Sequence, residues 1–222
     1  MGREFPSSYY DRHFRENPHF QTHYKDSPYY VAWTQVVRFL KKIKPNSILE
    51  VGCGTGQFAH YLHDEGFTNY EGFDFAEQAI ETARSRVGMN FYFGNALDKQ
   101  LYDRDFGVVI CLEVLEHIEK DLEVLSSIRE GTPIVFSLPN FDVPSHVRWF
   151  ISPRQIKKRY FTHVNILDIV PIGNLYICRG IVSKFNPNLF QRLLATREDI
   201  TLRSITVRLK HYLKNRLKLK SL

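Results

Sequence analysis

Apolar residues in this chain fall into short blocks, and between the blocks they recur every three or four positions. The blocks "SILEV" (47–51), "YEGFD" (70–74), "NFYFG" (90–94), "FGVVICL" (106–112) and "TPIVFSL" (132–138) read as strands. "FGVVICL" is apolar almost without interruption, the pattern of a strand covered on both faces. The stretches between them carry helical spacing. A helix is predicted from Tyr29 to Lys42, with Val31, Val36, Val37 and Leu40 on its buried face, and others over Gln57–Glu65, Ala76–Arg86 and Asp121–Ile128. "SPRQIKKRYF" (152–161) places a serine cap before a proline at the first helical position. "HVNILDIVPIG" and "NLYICRGIVSKF" meet at Gly173-Asn174 and predict a hairpin at the sheet edge. Strands alternating with helices imply an α/β fold with a doubly wound, mostly parallel sheet, closed by a C-terminal antiparallel hairpin.

Two segments stand outside this alternation. Residues 5–30 are dense in aromatics (Phe5, Tyr9, Tyr10, Phe14, Phe20, Tyr24, Tyr29, Tyr30), and Pro6, Pro18 and Pro28 divide them into short pieces. The last twenty or so residues carry Arg203, Arg208, Lys210, Lys214, Arg216, Lys218 and Lys220 and no acid. Without those charges the net +6 falls to about −1, so the body is nearly neutral and the basicity belongs to the tail. Leu202, Ile205, Leu209, Tyr212 and Leu213 recur there at near-helical spacing, which predicts a basic amphipathic helix.

Composition narrows the class. The 222 residues suffice for one sizeable domain, and 43% hydrophobic with 24% charged residues is an ordinary globular balance. No run approaches the roughly 18–20 apolar residues of a membrane span. "MGREFP" has Pro6 where a myristoylation signal needs Ser or Thr. Cys53, Cys111 and Cys178 are too few and too scattered for a disulfide framework or a zinc site, so a cytoplasmic location is expected.

The chemistry begins at "ILEVGCGTGQF" (48–58), a strand running through three glycines into a helix. Glycine allows close backbone approach and positive φ, and the following helix offers free N–H groups. Gln57 stands where a dinucleotide fold has its third glycine, and the phosphate-loop lysine is missing. Glu50, Gly52, Gly54 and Gly56 instead form Glu-x-Gly-x-Gly-x-Gly. This resembles the first motif of the Rossmann-like class I S-adenosylmethionine-dependent methyltransferases.

The resemblance implies a ligand made of a nucleoside and a methionine, with Cys53 and the glycines around it and Glu50 attracting its ammonium through water. Asp74 ends the next strand, where an acid is expected to accept ribose hydroxyls; capping the following helix is its other reading. Phe75 follows and is a candidate cover for the adenine. Gly94-Asn95-Ala96 resembles the family's adenine-binding turn, with Asn95 in place of an aspartate. "ICLEVLEHI" resembles its fourth strand and the loop after it, in which the residue matching Leu112 touches the methionine part. This wording, and "FSLPNFDVPSHVRWFISPRQI", is similar to the ubiquinone-pathway O-methyltransferase type of small-molecule enzyme.

Three segments follow: an aromatic lid (1–30), a cofactor-binding methyltransferase domain (31–185) and the basic C-terminal extension (186–222). The implied activity is methyl transfer from S-adenosylmethionine to a small-molecule or glycan acceptor, on oxygen. A hydroxyl acceptor must lose its proton; His117 and His146, after the fourth and fifth strands, are the candidate bases. Glu113, Glu116, His117 and His146 also resemble the metal site of RNA 2′-O-methyltransferases, though no acidic partner flanks His146 in "SHVRWF". A non-catalytic cofactor-binding subunit is a third reading. His13, His19 and His23 show no ordered metal spacing, and no resident metal is expected. The tail suits packing on its own domain or peripheral contact with an anionic membrane, ahead of nucleic acid, because the body is not basic.

Overall fold

The apolar blocks pair into one seven-stranded sheet in the computed structural model, which describes residues 2–183. The basic helix expected in 186–222 lies outside the described residues. The strands are β1 (Ile48–Val51), β2 (Tyr70–Asp74), β3 (Asn90–Phe93), β4 (Val108–Cys111), β5 (Pro133–Pro139), β6 (Val164–Ile172) and β7 (Leu175–Val182). Their order is β3-β2-β1-β4-β5-β7-β6. The first five run parallel, and β7 pairs antiparallel with both β5 and β6. The predicted hairpin therefore forms, with β6 at the edge.

The helices are α1 (Ser7–Glu16), α2 (Tyr30–Ile43), α3 (Gln57–Asp64), α4 (Glu77–Arg86), α5 (Asp121–Ser127) and α6 (Pro153–Tyr160). Strand side chains alternate between two cores. Ile48, Val108 and Ile110 pack with Val36, Leu40, Phe58 and Ile80 on one face. Leu49, Val51, Val109 and Cys111 pack with Val124, Leu125, Ile156 and Tyr160 on the other. This double covering explains the unbroken apolar run of β4.

Three local expectations change. Val31 is 64% exposed rather than buried. At 100° per residue it points about 180° away from Leu40, and Ala32, Trp33 and Phe39 join the buried face of α2 instead. Ser152 occupies the cap position of α6 without a side-chain cap bond; its carbonyl accepts from Gln155 and Ile156 instead. The aromatic N-terminal stretch is more regular than its prolines suggest, since Pro6 and Pro18 flank the ten-residue helix α1 rather than break it.

The order of the sheet reverses beside β1, between β2 and β4. Register places Val51 level with Phe73 and Cys111, and Cys111 level with Phe136. Four carboxyl ends thus open onto one crevice, where open α/β sheets bind ligands.

Candidate functional site

The loop after β1 enters the crevice with Gly52, Gly54 and Gly56 at φ +70°, +51° and +73°. Side chains rarely adopt this left-handed region. At Gly56 a Cβ would also lie 2.9 Å from Ala83 Cβ and 3.0 Å from its Cα, so glycine lets α4 approach the loop. Asp74 fastens the loop from β2: its Oδ2 accepts from Gly54 N (2.9 Å) and its Oδ1 from Ala76 N (2.9 Å). The same buried carboxylate thus closes the turn ahead of α4 and fastens the loop, while α4, whose cap residue is Ala76, takes no side-chain cap from it. Burial raises the Asp74 carboxyl to about 6, against the pull of those N–H groups.

Glu50 is buried under the same loop and accepts from Tyr70 Oη at 2.5 Å. Burial raises its carboxyl to about 8; the Tyr70 hydroxyl opposes the rise, and the charge of Asp74 adds to it.

These groups line a cavity of about 820 Å³, together with Cys53, Phe75, Asn95, Ala96 and Leu112. Asn95 Oδ1 already accepts from Leu97 N (2.9 Å), so the acceptor foreseen for an adenine amine shapes its own turn. Among the described residues lining the cavity no lysine or arginine occurs, whereas Glu4, Glu50, Asp74 and Glu113 do.

Another wall of the cavity is built from the loop after β4. Glu113 holds a left-handed backbone, φ +56°. For a non-glycine residue this strain persists only where the surroundings impose it. Ser137 on β5 imposes it twice: its Oγ accepts from Glu113 N (2.7 Å) and donates to Glu113 Oε1 (2.6 Å). Burial lifts the Glu113 carboxyl to about 7 despite that bond. Sequence reasoning missed Ser137, whose only signal was a lone hydroxyl near the carboxyl end of an apolar strand.

His117 and His146 converge here, their ring centroids 5.0 Å apart. His117 Nδ1 lies 2.8 Å from Ser145 O, and His146 Nδ1 lies 3.1 Å from Phe141 O. A carbonyl only accepts, so each Nδ1 carries the proton and each Nε2 keeps a free lone pair. Burial pushes His117 down to about 4 and lowers His146 as well, so both rings are neutral bases at pH 7.

Behind them sits Glu116, 0% exposed, with neither carboxylate oxygen bonded to a donor. Burial and then the charge of Glu113 raise its pKa. Donor atoms of Glu116, His117 and His146 lie within 4.8 Å of one another; Glu113, turned onto Ser137, is not in that group.

Arg148 fixes this loop by donating to the carbonyls of Leu115, Ile118 (2.6 Å) and Glu119 (2.9 Å). Buried Asp121 anchors Arg148 (3.3 Å), Arg159 (2.6 Å) and the Tyr160 hydroxyl (2.9 Å).

The N-terminal segment spans the mouth. Gly2 N and Arg3 N donate to His146 O and Pro144 O (3.1 Å each), and Asp11 Oδ1 accepts from Gln78 N (3.0 Å). Tyr10 packs between Phe75 (5.2 Å) and His117 (5.7 Å). At the other end Thr55 Oγ1 donates to Phe20 O (3.0 Å), and Gln57 Nε2 to His19 O and Thr22 O (2.7 and 2.9 Å). Arg86 donates to Thr22 O and Phe20 O, 2.7 Å each.

Residues 23–175 match the family described as methyltransferase domain. The chain is similar to the ubiquinone biosynthesis O-methyltransferase of Hydrogenovibrio crunogenus, 24% identical over 186 residues, covering 75% of this chain and 77% of that one. It is 40% identical over 76 residues to the enzyme of the same name in Rickettsia felis, covering 32% of this chain and 31% of that one. For others of that name the match spans between 26% and 64% of the relative's length. Among solved structures, a Pyrococcus horikoshii protein superposes with a TM-score of 0.61 at 17% identity, covering 78% of this chain and 99% of that one. Magnesium protoporphyrin IX methyltransferase of Synechocystis, with bound S-adenosylhomocysteine, gives 0.53 at 16% identity, covering 68% and 82%. These likenesses establish the fold.

Proposed function

The chain belongs to the methyltransferase-domain family, and from that premise we propose that it transfers a methyl group from S-adenosylmethionine to an oxygen of a small organic or glycan acceptor. The observation that carries this reading is one cavity joining buried Glu50 and Asp74 to two imidazoles with free Nε2 atoms. The charge of that cavity selects the ligand type. Two buried carboxyls that a cation would ionise, and no lysine or arginine in the lining, suit a cation and offer a pyrophosphate no counter-charge. The likeness to ubiquinone biosynthesis O-methyltransferases supports oxygen as the accepting atom.

The donor supplies a methyl already activated on a cationic sulfonium. Glu50 would hold its ammonium, Asp74 its ribose hydroxyls, Phe75 and the Asn95-Ala96 turn its adenine, and Leu112 and Cys53 its methionine chain. His117, with His146 beside it, accepts the acceptor's hydroxyl proton at Nε2. Phe5, Tyr9, Tyr10 and Phe14 act as a lid that excludes water and packs on the acceptor. The location that fits is cytoplasmic. No described helix is long and apolar enough to cross a membrane, and peripheral contact through the tail stays a proposal.

Calorimetry with S-adenosylhomocysteine tests the reading. The wild type binds, and Asp74→Ala binds about 10–100-fold more weakly, from the loss of buried charge-assisted bonds. No binding by the wild type overturns it. Methyl transfer confined to amines in a panel of phenols, sugars and amines overturns the choice of oxygen, and absence of any transfer leaves a binding subunit.

A proton should accompany the cofactor. The free Glu50 carboxyl, near 8, is mostly protonated at pH 7, and a bound ammonium ionises it. Binding of S-adenosylmethionine therefore releases up to about one proton, and affinity rises with pH until about 8. Titration enthalpies in phosphate and Tris at pH 7 differ accordingly; identical enthalpies contradict it.

A second reading attaches to the unbonded Glu116 carboxyl: a divalent cation held by Glu116, His117 and His146. Turnover lost to a chelator and restored by zinc favours it, whereas chelator-insensitive turnover removes it. The acidic, aromatic lining argues against an RNA acceptor.

A further inference from the structure

A second cluster of donors lies away from the cavity, on the outer face of α3. His60 and Asp64 are one helical turn apart, with His60 Nε2 3.9 Å from Asp64 Oδ1. The N-terminal segment brings His23 onto the same face, its ring centroid 5.1 Å from that of His60. Donor atoms of His23, His60 and Asp64 all lie within 4.8 Å of one another.

We propose that His23, His60 and Asp64 form a surface site for a borderline-soft divalent cation, zinc by preference, which joins the N-terminal cover to the helix that follows the glycine loop.

Two imidazoles and one carboxylate are a zinc-type donor set that leaves a position for water. The carboxylate is already oriented, because the Tyr24 hydroxyl donates to Oδ2 (2.7 Å) and so leaves Oδ1 toward His60, with His63 beside it outside the donor group. Among the described residues, only His60 and His63 place a basic nitrogen within 4.0 Å of this carboxylate. Arg86 is turned onto the Thr22 and Phe20 carbonyls, and Lys25 Nζ lies over the Tyr24 ring at 5.8 Å. His23 is exposed, and its Nδ1 contact with Lys25 N is long at 3.3 Å, so a cation displaces little.

The position gives the site a consequence. His23 directly follows residues 19–22, whose carbonyls hold Gln57, Thr55 and Arg86. A cation bridging His23 to α3 cross-links the cover at the end where it grips the glycine loop. By binding only the folded arrangement it stabilises that end by mass action.

The test uses the 222-residue chain stripped with chelator, then titrated with Zn²⁺ by calorimetry and with Co²⁺ by visible absorption. His23→Gln and His60→Gln each bind one equivalent fewer than the wild type, with unchanged circular dichroism. Zn²⁺ slows amide exchange over residues 17–26 in the wild type and not in the variants. Any metal held by Glu116, His117 and His146 is common to all three proteins and cancels. Equal stoichiometry in the wild type and His23→Gln, or no Zn²⁺ bound by the wild type, overturns the proposal. Neither result bears on methyl transfer.

Discussion

Truncating His117 to alanine lowers turnover by about 10²–10⁴-fold, the usual worth of a positioned general base, while S-adenosylhomocysteine binds as before. The two readouts separate because His117 is bonded to Ser145 O, whereas Glu50 is held by Tyr70 and Asp74 by Gly54 and Ala76. The pH profile adds a second signature. Burial holds the His117 ring near 4, so it is neutral across the assay range and contributes no acid limb above about pH 5. A variant with near wild-type turnover at saturating cofactor, or one that fails to bind the product, contradicts the assignment. His146→Ala belongs beside it, since the neighbouring Nε2 lone pair is the alternative proton acceptor.

Asp121→Ala destabilises the fold by about 3–5 kcal/mol, the cost of stranding one partner of a buried ion pair. Asp121 is 0% exposed and satisfies Arg148, Arg159 and Tyr160 together. Alanine leaves the Arg148 guanidinium largely buried without its carboxylate and the buried Tyr160 hydroxyl without an acceptor. The damage reaches the site, because Arg148 holds the carbonyls of Leu115, Ile118 and Glu119 around Glu116 and His117. Denaturant unfolding measures it; a loss below about 1 kcal/mol would place Asp121 among ordinary surface ion pairs. Asp121→Asn, which keeps an acceptor for Tyr160, falls between.

The sheet was legible because its central strands β1, β4 and β5 are buried on both faces and so carry apolar blocks, punctuated by glycine and proline. The cofactor end was legible because positive φ at Gly52, Gly54 and Gly56 demands glycine, and glycines at fixed spacing are visible in a sequence. The acceptor end was not. Glu113 adopts a positive φ without being glycine, and its supports, Ser137 and the adjoining strand, arrive from 24 residues away. Glu116 entered only through a likeness to a metal site, and nothing local in the sequence marks it as a carboxyl that the fold seals from water. Helix α1 escaped notice because none of its residues is fully buried, so its aromatics mark a wall of the cavity rather than a core stripe. His23, one of three histidines without metal spacing along the chain, finds its partners only across the junction with α3.

At the glycine-loop end the cover is gripped through main-chain atoms: the acceptors for Thr55, Gln57 and Arg86 are the carbonyls of His19, Phe20 and Thr22. A carbonyl is present whatever side chain it belongs to. Changing a cover side chain such as Tyr9 therefore leaves those carbonyl bonds in place. That separates acceptor choice from closure, and it makes α1 the place where a new acceptor preference could be evolved or engineered one ring at a time.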